Sequence, residues 1–245
     1  MKPHRVALVW FRRDLRLADN PALLHAIASA DAVIPVYIDA SDEEGEWAPG
    51  AASRWWLHHS LIALASALSA RGSQLIIRRG KALPVLAELA ETTGATLVTW
   101  NRLYEPEIVA RDTIVKTGLG KSGIEAQSHN AALLFEPWTI RNAQERPYRV
   151  FTPFWRTALG MIDRIDVPRA SPRRIAAGPS WPHSLRIDDL DLLPHIPWDA
   201  GFAPRWQPGE AGAHRQLRRF ARLAEHYRVG RDQPGNDATS SLSPH

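Results

Sequence analysis

Along the first 130 residues of this chain, short continuous apolar runs alternate with longer segments in which apolar residues recur at helical spacing. Short runs rich in Val, Ile and Leu predict five buried β-strands, at residues 6–11, 33–38, 74–79, 96–100 and 124–128. The longer segments between these runs carry apolar residues at helical spacing. Strands that alternate with helices are typical of a parallel sheet with helices on both faces. The pattern therefore predicts an α/β fold with five parallel strands.

Helix start and stop signals support the alternation. Asn20 followed by Pro21 predicts a helix start, because the Asn side chain can cap the first turn and Pro fits the first helical position. A leucine stripe at spacings of four, three and four predicts the second helix, with Leu57, Leu61, Leu64 and Leu68. Gly72 is its predicted stop. Two further helices are predicted at residues 81–92 and 105–117.

The second half of the chain has a different character. Eight prolines between residues 168 and 208 interrupt regular structure and indicate a long linker, ordered or extended. A short helix is predicted near 154–165. A second helix follows Pro208, with an apolar stripe formed by Ala213, Leu217, Phe220, Ala224 and Tyr227. The predicted sheet offers this stripe no obvious partner, which indicates packing against a further domain.

Composition restricts the class of protein. The chain has 245 residues, 44% hydrophobic and 23% charged, as in a globular protein. It contains no Cys, which excludes disulfides, thiolate metal sites and a Cys nucleophile, and fits a reducing cytoplasm. No apolar stretch reaches the length of a membrane span, and the first apolar run is too short for a signal peptide. No metal site and no hydrolase motif is apparent.

The net charge of +4 is unevenly distributed. Seven Arg lie between residues 204 and 231, against Glu210 and Glu225. Such a basic stripe can steer a protein toward nucleic acid, or it can be a solvated helix face. The charge pattern alone leaves both alternatives open.

Residues 118–123 match a nucleotide-binding pattern, with glycines spaced as G-x-G-x-x-G. That mechanism needs the glycines after a strand and before a helix, so that phosphate meets the helix N-terminus. Here they follow a predicted helix and precede a strand. A P-loop would also need glycine at Val115. The segment therefore indicates a helix stop and a turn.

Ligands of open parallel sheets bind beyond the carboxyl ends of the strands. This rule predicts that the loops at residues 11–16, 39–46 and 101–105 rim one crevice. Arg13, Asp14 and Arg16 in the first loop can contact a polar ligand, or can form Arg–Asp pairs that hold the loop onto the neighbouring domain. We favour the second alternative for each of these side chains.

The last residues carry a set of groups suited to a phosphate-bearing ligand. Tyr227 and the pair Arg231–Asp232 precede residues 239–243, named the hydroxyl run here because four of its five side chains are hydroxyls. Hydroxyl and backbone N–H groups can bond phosphate oxygens, and an Arg can bind phosphate with two N–H groups.

The motifs together resemble the photolyase/cryptochrome family of light-driven flavoproteins, and most closely a class I-type photolyase for cyclobutane pyrimidine dimers. The resemblance rests on the order and spacing of residues 10–23, 101–106, 150–155 and 206–210, followed by the hydroxyl run. It implies a Rossmann-like antenna domain at residues 1–130 and an interdomain linker at 131–207. Residues 208–245 would be the truncated start of an all-α FAD-binding domain.

The resemblance also implies site residues, position by position. The FAD contacts would be Tyr227, Thr239, Ser240, Ser241, Leu242 and Ser243. Arg231 would lie near DNA phosphate. The antenna crevice would involve Arg13, Asp14, Asn101, Glu105 and Glu107. It would hold a second chromophore of folate or deazaflavin type, and Glu107-Ile108 in place of the Asn-Glu of folate-binding members argues against folate. No catalytic residue is expected within this chain.

The implied function is light-driven repair of pyrimidine dimers in DNA by a cytoplasmic enzyme that uses FAD, monomeric when complete and without membrane association. Two alternatives remain: a cryptochrome-type photosensor that acts through a protein partner, and an inactive free-standing antenna-domain or nucleotide-binding fragment. We expect the 245-residue chain alone neither to retain FAD nor to repair DNA, because the family's remaining flavin contacts lie beyond His245.

Overall fold

The computed structural model describes residues 5–45, 48–178, 180–233 and 235–245, so Glu46 of the second predicted loop and Pro179 of the predicted linker lie outside the described residues. Its centre is a sheet of five strands: β1 (Val6–Phe11), β2 (Ala32–Asp39), β3 (Ile76–Arg79), β4 (Ala95–Asn101) and β5 (Glu125–His129). All neighbouring strands pair in parallel, in the order β3-β2-β1-β4-β5. The predicted five-stranded parallel sheet is confirmed.

The helices of the described residues are α1 (Pro21–Ser29), α2 (Ala51–Ser69), α3 (Ala82–Thr93), α4 (Pro106–Lys121), α5 (Phe151–Leu159), α6 (Glu210–Leu223) and α7 (Tyr227–Gly230). Short 3₁₀ turns lie at Ser41–Glu43, Ile162–Arg164, Asp188–Leu190 and Ala224–His226. The predicted cap of α1 is present, since Asn20 Oδ1 accepts a hydrogen bond of 3.1 Å from Leu23 N. None of these helices combines the length and the apolar character needed to cross a membrane.

Two hydrophobic cores lie on opposite faces of the sheet. On one face Leu8 and Trp10 of β1 join a buried cluster with α3 and α4, and on the other Val9 and Phe11 join a cluster with α1 and α2. The predicted stripe of α2 packs here, with Leu61, Leu64 and Leu68 fully buried. Each fully buried leucine contributes about 1.5–3 kcal/mol. Burial on both faces explains why β1 is apolar throughout.

The glycine-rich segment at residues 118–123 lies at the amino ends of the strands, as expected for a helix stop. α4 continues through Lys121, one turn further than predicted, and Gly123 then turns the chain with φ +74°. Gly118 lies inside the helix against α3. A Cβ at Gly118 would come within 2.6 Å of the Leu83 side chain, so this glycine permits close helix packing.

The predicted linker contributes to the α/β core. Residues 168–178 and 180–192, named the strap here, run along the β2 and β3 side of the sheet. Ile77 N of β3 donates to Ser184 Oγ and Leu185 N donates back to Ile77 O, both at 2.9 Å. Ile175 and Leu190 of the strap are buried in the core. Prolines exclude a helix here, yet an extended chain can still cover an edge strand.

α5 begins at Phe151, earlier than predicted, because Pro153 falls in the first turn, where proline is tolerated. α6 packs partly on α2, through Gly209 against Ala63. The apolar stripe of α6 is therefore not wholly without a partner in this chain. Leu217 is nevertheless 52% exposed.

Candidate functional site

A crevice opens at the carboxyl edge of the sheet, beside β1, where the strand order reverses. Its volume is about 1730 Å³, whereas small-molecule pockets usually have volumes of about 300–1,000 Å³. One wall consists of residues 12–16 after β1, Asp39 at the end of β2 and Leu103 after β4. The three predicted loops therefore meet at one crevice.

The opposite wall comes from α2 and the C-terminal part of the chain. Trp56 of α2 lies at its centre, with ring centroids 5.8 Å from Trp206 and 4.9 Å from His245. Leu242 and Ser243 of the hydroxyl run line the same cavity. The crevice is therefore shared between the α/β sheet and the segment predicted to open the flavin domain.

Glu210, in the first turn of α6, links the C-terminal wall of the crevice to the wall formed by the sheet. Its carboxylate oxygens accept hydrogen bonds from Leu17 N at 2.9 Å and Ala18 N at 3.0 Å. Beside it, Gly209 has φ +93°, and a Cβ there would lie 2.6 Å from the Ala63 methyl group. The sequence indicated only a helix start at this point, because no local pattern reveals backbone groups almost 200 residues away as partners.

Asp14 and Asn101, predicted as crevice residues, belong to a hydrogen-bond network that holds the loop after β1. Asn101 is 2% exposed; its Nδ2 donates to Asp14 and to Asn20 Oδ1, and its Oδ1 accepts from Ala22 N at 3.1 Å. Asp14 also accepts from Arg12 N at 3.0 Å. Asp14 borders the cavity while Asn101 lies beneath it. For both residues the geometry favours support of the loop over ligand contact.

Arg16 has a similar supporting role. It donates to the backbone oxygens of Ala18 at 3.2 Å, Asp19 at 2.9 Å and Ala131 at 2.8 Å. These bonds join the loop after β1 to the segment that follows β5. Arg16 therefore supports the loop through backbone oxygens, and not through the predicted Arg–Asp pairing onto a neighbouring domain.

Arg12 places a buried positive charge at the floor of the crevice. Its Nη1 donates to Asp112 Oδ2 at 2.6 Å, and its guanidinium lies 4.7 Å from the centre of the Trp10 ring. Arg111 lies 5.0 Å from the same ring. Burial lowers the pKa of Arg12 below its usual value, and the neighbouring Asp112 offsets only part of this effect. Sequence reasoning did not single out this ion pair.

Arg13 remains at the solvent edge of the crevice, 49% exposed. It pairs with Glu105, another predicted crevice residue, and more loosely with Glu44 at 3.5 Å. Burial acts to raise the pKa of Glu105, but backbone hydrogen bonds and Arg13 outweigh it and leave that pKa below its usual value. Glu107 is exposed on α4 and Ile108 is buried in it, and neither borders the cavity.

The hydroxyl run forms one loop after α7. Ser240 Oγ accepts a hydrogen bond of 3.4 Å from Leu242 N, and the backbone oxygen of Thr239 accepts one of 3.3 Å from Arg219. Within the described residues, no hydrogen bond engages the hydroxyls of Ser241 and Ser243. The run thus presents free donors beside the crevice.

Tyr227 and Arg231, the other predicted ligand and DNA residues, lie outside the cavity lining. Tyr227 is 38% exposed, with its ring centroid 5.6 Å from that of Phe220. The Arg231 guanidinium lies 5.5 Å from the Tyr227 ring and 3.6 Å from Asp232. The structure brings these two residues together on an exposed surface, apart from the crevice.

Two groups with displaced pKa values lie on the β5 side of the sheet. The Tyr104 hydroxyl donates to Glu136 at 2.9 Å, and burial with this bond raises its pKa to about 12. Burial, with the nearby charges of His25 and Arg102, lowers the pKa of His129 to about 4. Neither group borders the crevice, so both are structural features of this edge.

The parallel sheet, with a crevice at the carboxyl ends of its strands where the strand order reverses, defines the class of protein as an open α/β fold. The family model described as DNA photolyase matches residues 7–173. The chain therefore belongs to the DNA photolyase family, and the family resemblance of its motifs is confirmed.

Individual relatives extend this similarity to the whole chain. The deoxyribodipyrimidine photo-lyase of Agrobacterium fabrum is 43% identical over 240 residues, which cover 97% of this chain and 49% of that protein. Cryptochrome-2 of Arabidopsis thaliana is 38% identical over 252 residues, covering 100% of this chain and 41% of that one. The chain thus spans about half the length of these curated relatives.

Solved structures agree with the fold. The crystal structure of a bacterial class III photolyase from Agrobacterium tumefaciens superposes with a TM-score of 0.93 at 42% identity, over 100% of this chain and 50% of that chain. A Synechocystis cryptochrome superposes with a TM-score of 0.83 at 23% identity, over 100% of this chain and 53% of that one, and shows the shared fold alone.

Proposed function

We propose that this protein takes part in light-driven repair of cyclobutane pyrimidine dimers in DNA, as a deoxyribodipyrimidine photo-lyase that uses FAD. The observation that carries the proposal is the 43% identity to such an enzyme over 97% of the chain. The motifs pointed to a class I-type enzyme, whereas the 42% identity to a class III photolyase supports a class III assignment instead. The proposal includes a cytoplasmic, monomeric enzyme, as the family resemblance implies.

The proposed domain division assigns residues 1–130 to the antenna domain, 131–207 to the connection and 208–245 to the start of the flavin domain. The position of Glu210 supports a junction near residue 208, because its carboxylate bonds the backbone of the first unit. The packing of the strap on the core supports an amendment, in which residues 168–192 count with the antenna domain.

FAD fits the donors of the hydroxyl run. The unengaged hydroxyls of Ser241 and Ser243 suit phosphate oxygens, and the exposed ring of Tyr227 offers an apolar surface. When bound and reduced, FAD would supply the light-driven electron that splits the dimer. A flavin needs most of its surface covered, and these residues provide one side only. We propose that the equivalent of the relatives' other half completes the site.

Damaged DNA is the proposed substrate. Arg231 and the exposed arginines of α6 would pair with backbone phosphates, which predicts binding that weakens steeply with salt. The dimer would leave the duplex to reach the flavin, since a damaged base costs less to extrude than an intact one.

The crevice is the proposed site of a second, antenna chromophore of folate or deazaflavin type. Its volume of about 1730 Å³ and the Trp56 ring suit an aromatic ligand, and Arg13 and Arg12 suit a ligand with an acidic group. Because Glu107 and Ile108 do not border the cavity, they give no ground for preferring one chromophore over the other.

A cryptochrome-type photosensor is the second candidate, favoured by the 38% identity to Cryptochrome-2 over the whole chain. It would bind FAD as well, but its output would be a light-dependent interaction with a protein partner. A dimer-repair assay separates the two functions.

The test compares the 245-residue chain alone with the same chain co-expressed with the remaining half of the Agrobacterium photolyase. We expect the pair to hold close to one FAD per complex and to split thymine dimers under blue light, and the chain alone to do neither. A pair that binds FAD without repair would favour the photosensor. A chain that binds FAD and repairs dimers alone would overturn the division of the site between two halves.

A further inference from the structure

Arg219 of α6 differs from the neighbouring arginines of the helix in its hydrogen-bond partners. Arg219 Nε donates to Gln216 Oε1 at 3.0 Å, one turn back on the same helix. Its Nη1 donates to Asp237 O at 3.2 Å, and its Nη2 to Asp237 Oδ1 at 2.9 Å and Thr239 O at 3.3 Å. A single guanidinium thus connects the helix to Asp237, two residues before the hydroxyl run, and to Thr239, its first residue.

The other arginines on this helix do not share the arrangement. Across residues 210–233, which the structure describes without a gap, Arg218 and Arg222 are exposed and form no hydrogen bond or ion pair. Arg219 is less exposed, at 34% of its side chain. Its planar fork of donors suits two oxygens at once, which a lysine ammonium cannot reproduce.

Arg219 is one of several contacts that support this segment: Ala238 packs against Gly230, and the His245 ring lies 4.9 Å from that of Trp56. Residues 235–245 form no helix or strand, and Ser241 adopts the left-handed conformation with φ +50°. Ordering such a loop on ligand binding costs conformational entropy for each residue. An anchor that fixes Asp237 and Thr239 beforehand reduces the part of that cost which a ligand must offset.

We propose that Arg219 is a positioning residue for phosphate capture: it orders the hydroxyl run so that its hydroxyl and N–H groups face the phosphates of FAD. The proposal rests on the proposed function for the identity of the ligand. Arg219 itself acts through the backbone of Thr239 and both the carboxylate and the backbone of Asp237. It therefore governs recognition of the phosphates and not of the flavin ring.

The first experiment uses the complex of this chain with the remaining half of the Agrobacterium photolyase, freed of flavin. It is titrated with FAD and with riboflavin, which lacks phosphate, and flavin fluorescence is followed. We expect Arg219→Gln to weaken FAD binding about five- to twentyfold and to leave riboflavin binding unchanged. Arg219→Lys should recover only part of the loss. Arg222→Gln, one turn along the helix, is the matched control and should behave like the parent. Equal weakening of FAD and riboflavin by Arg219→Gln would overturn the positioning role.

A second experiment does not depend on flavin. Hydrogen–deuterium exchange of residues 238–243 should accelerate severalfold in Arg219→Gln and in Asp237→Asn, and the double variant should exchange no faster than the faster single variant. Exchange in Arg219→Gln equal to that in Arg222→Gln would refute the clamp. If exchange in residues 238–243 accelerates in Arg219→Gln but the complex binds FAD no better than riboflavin, the result counts against the proposed flavin site. The role of Arg219 in ordering the loop would then still stand.

Discussion

The side-chain network under the crevice gives the sharpest test of how this fold is held. Asn101 makes three hydrogen bonds from a position that is 2% exposed, to Asp14, to Asn20 and from Ala22 N. Asn101→Ala removes all three and leaves the half-buried Asp14 carboxylate, the buried Asn20 amide oxygen and the buried Ala22 N–H without this partner.

The size of the effect follows from the kind of partner. A hydrogen bond between neutral groups contributes about 1 kcal/mol and one to a charged group about 1.5–3 kcal/mol. The sum for Asn101 is therefore about 3–5 kcal/mol, and a domain has a free energy of unfolding of about 5–15 kcal/mol. For a chain of this size, a loss of 3–5 kcal/mol lowers Tm by about 10 °C.

Urea unfolding followed by tryptophan fluorescence measures this loss. Asn236→Ala makes the same chemical change at an exposed position and should stay within about 0.5 kcal/mol of the parent. Asn101→Asp keeps the acceptor for Ala22 N but sets a second carboxylate against Asp14, so part of its lost stability should return as pH falls and one carboxylate takes up a proton. A loss below about 1 kcal/mol for Asn101→Ala would refute the role of the network.

Three further outcomes are expected. Gly209→Ala should destabilise the docking of α6 by about 1–3 kcal/mol, seen as faster amide exchange in α6, because the added methyl meets Ala63 and φ +93° disfavours alanine; unchanged exchange would contradict this. The pKa of His129 falls from 6.5 to about 4 on folding, so its contribution to the free energy of unfolding is complete above pH 6.5 and is lost as pH falls toward 4. After allowance for partial exposure, His129→Gln should reduce the stability lost between pH 7 and pH 4.5 by about 1–2 kcal/mol. Identical pH profiles of the variant and the parent would contradict this. Ile175→Ala in the strap should cost about 2–4 kcal/mol in urea unfolding, against less than about 0.5 for Val167→Ala at an 83% exposed position; equal losses would show that the strap does not stabilise the core.

Periodicity predicted the central strands well because β1, β2 and β4 are buried almost throughout on both faces. Their largely apolar runs can be recognised without knowledge of their partners. The start of α1 was equally predictable, since Asn20 acts on a residue only three positions away. The strap was not predictable as part of the core, because its prolines exclude regular elements but do not reveal extended contacts with β3.

Some features of the candidate site could likewise be predicted from the sequence, and others could not. The position of the crevice followed from strand order, a general property of parallel sheets. The roles of its side chains did not, because Asp14 meets Asn101 across 87 positions of sequence and Glu210 meets Leu17 across 193. The assignment of Tyr227 and the hydroxyl run to FAD came from family resemblance and stays a prediction.

The strap makes the α/β domain discontinuous along the chain. Its two parts are separated by residues 131–167, which carry α5, so the edge of β3 stays open until residues near 192 have been synthesised. Until then a nascent chain on the ribosome would expose an unpaired β-strand edge to other chains. The unit that folds cooperatively thus ends well after the last strand. A fragment that ends at β5 should therefore aggregate more readily than one that includes the strap.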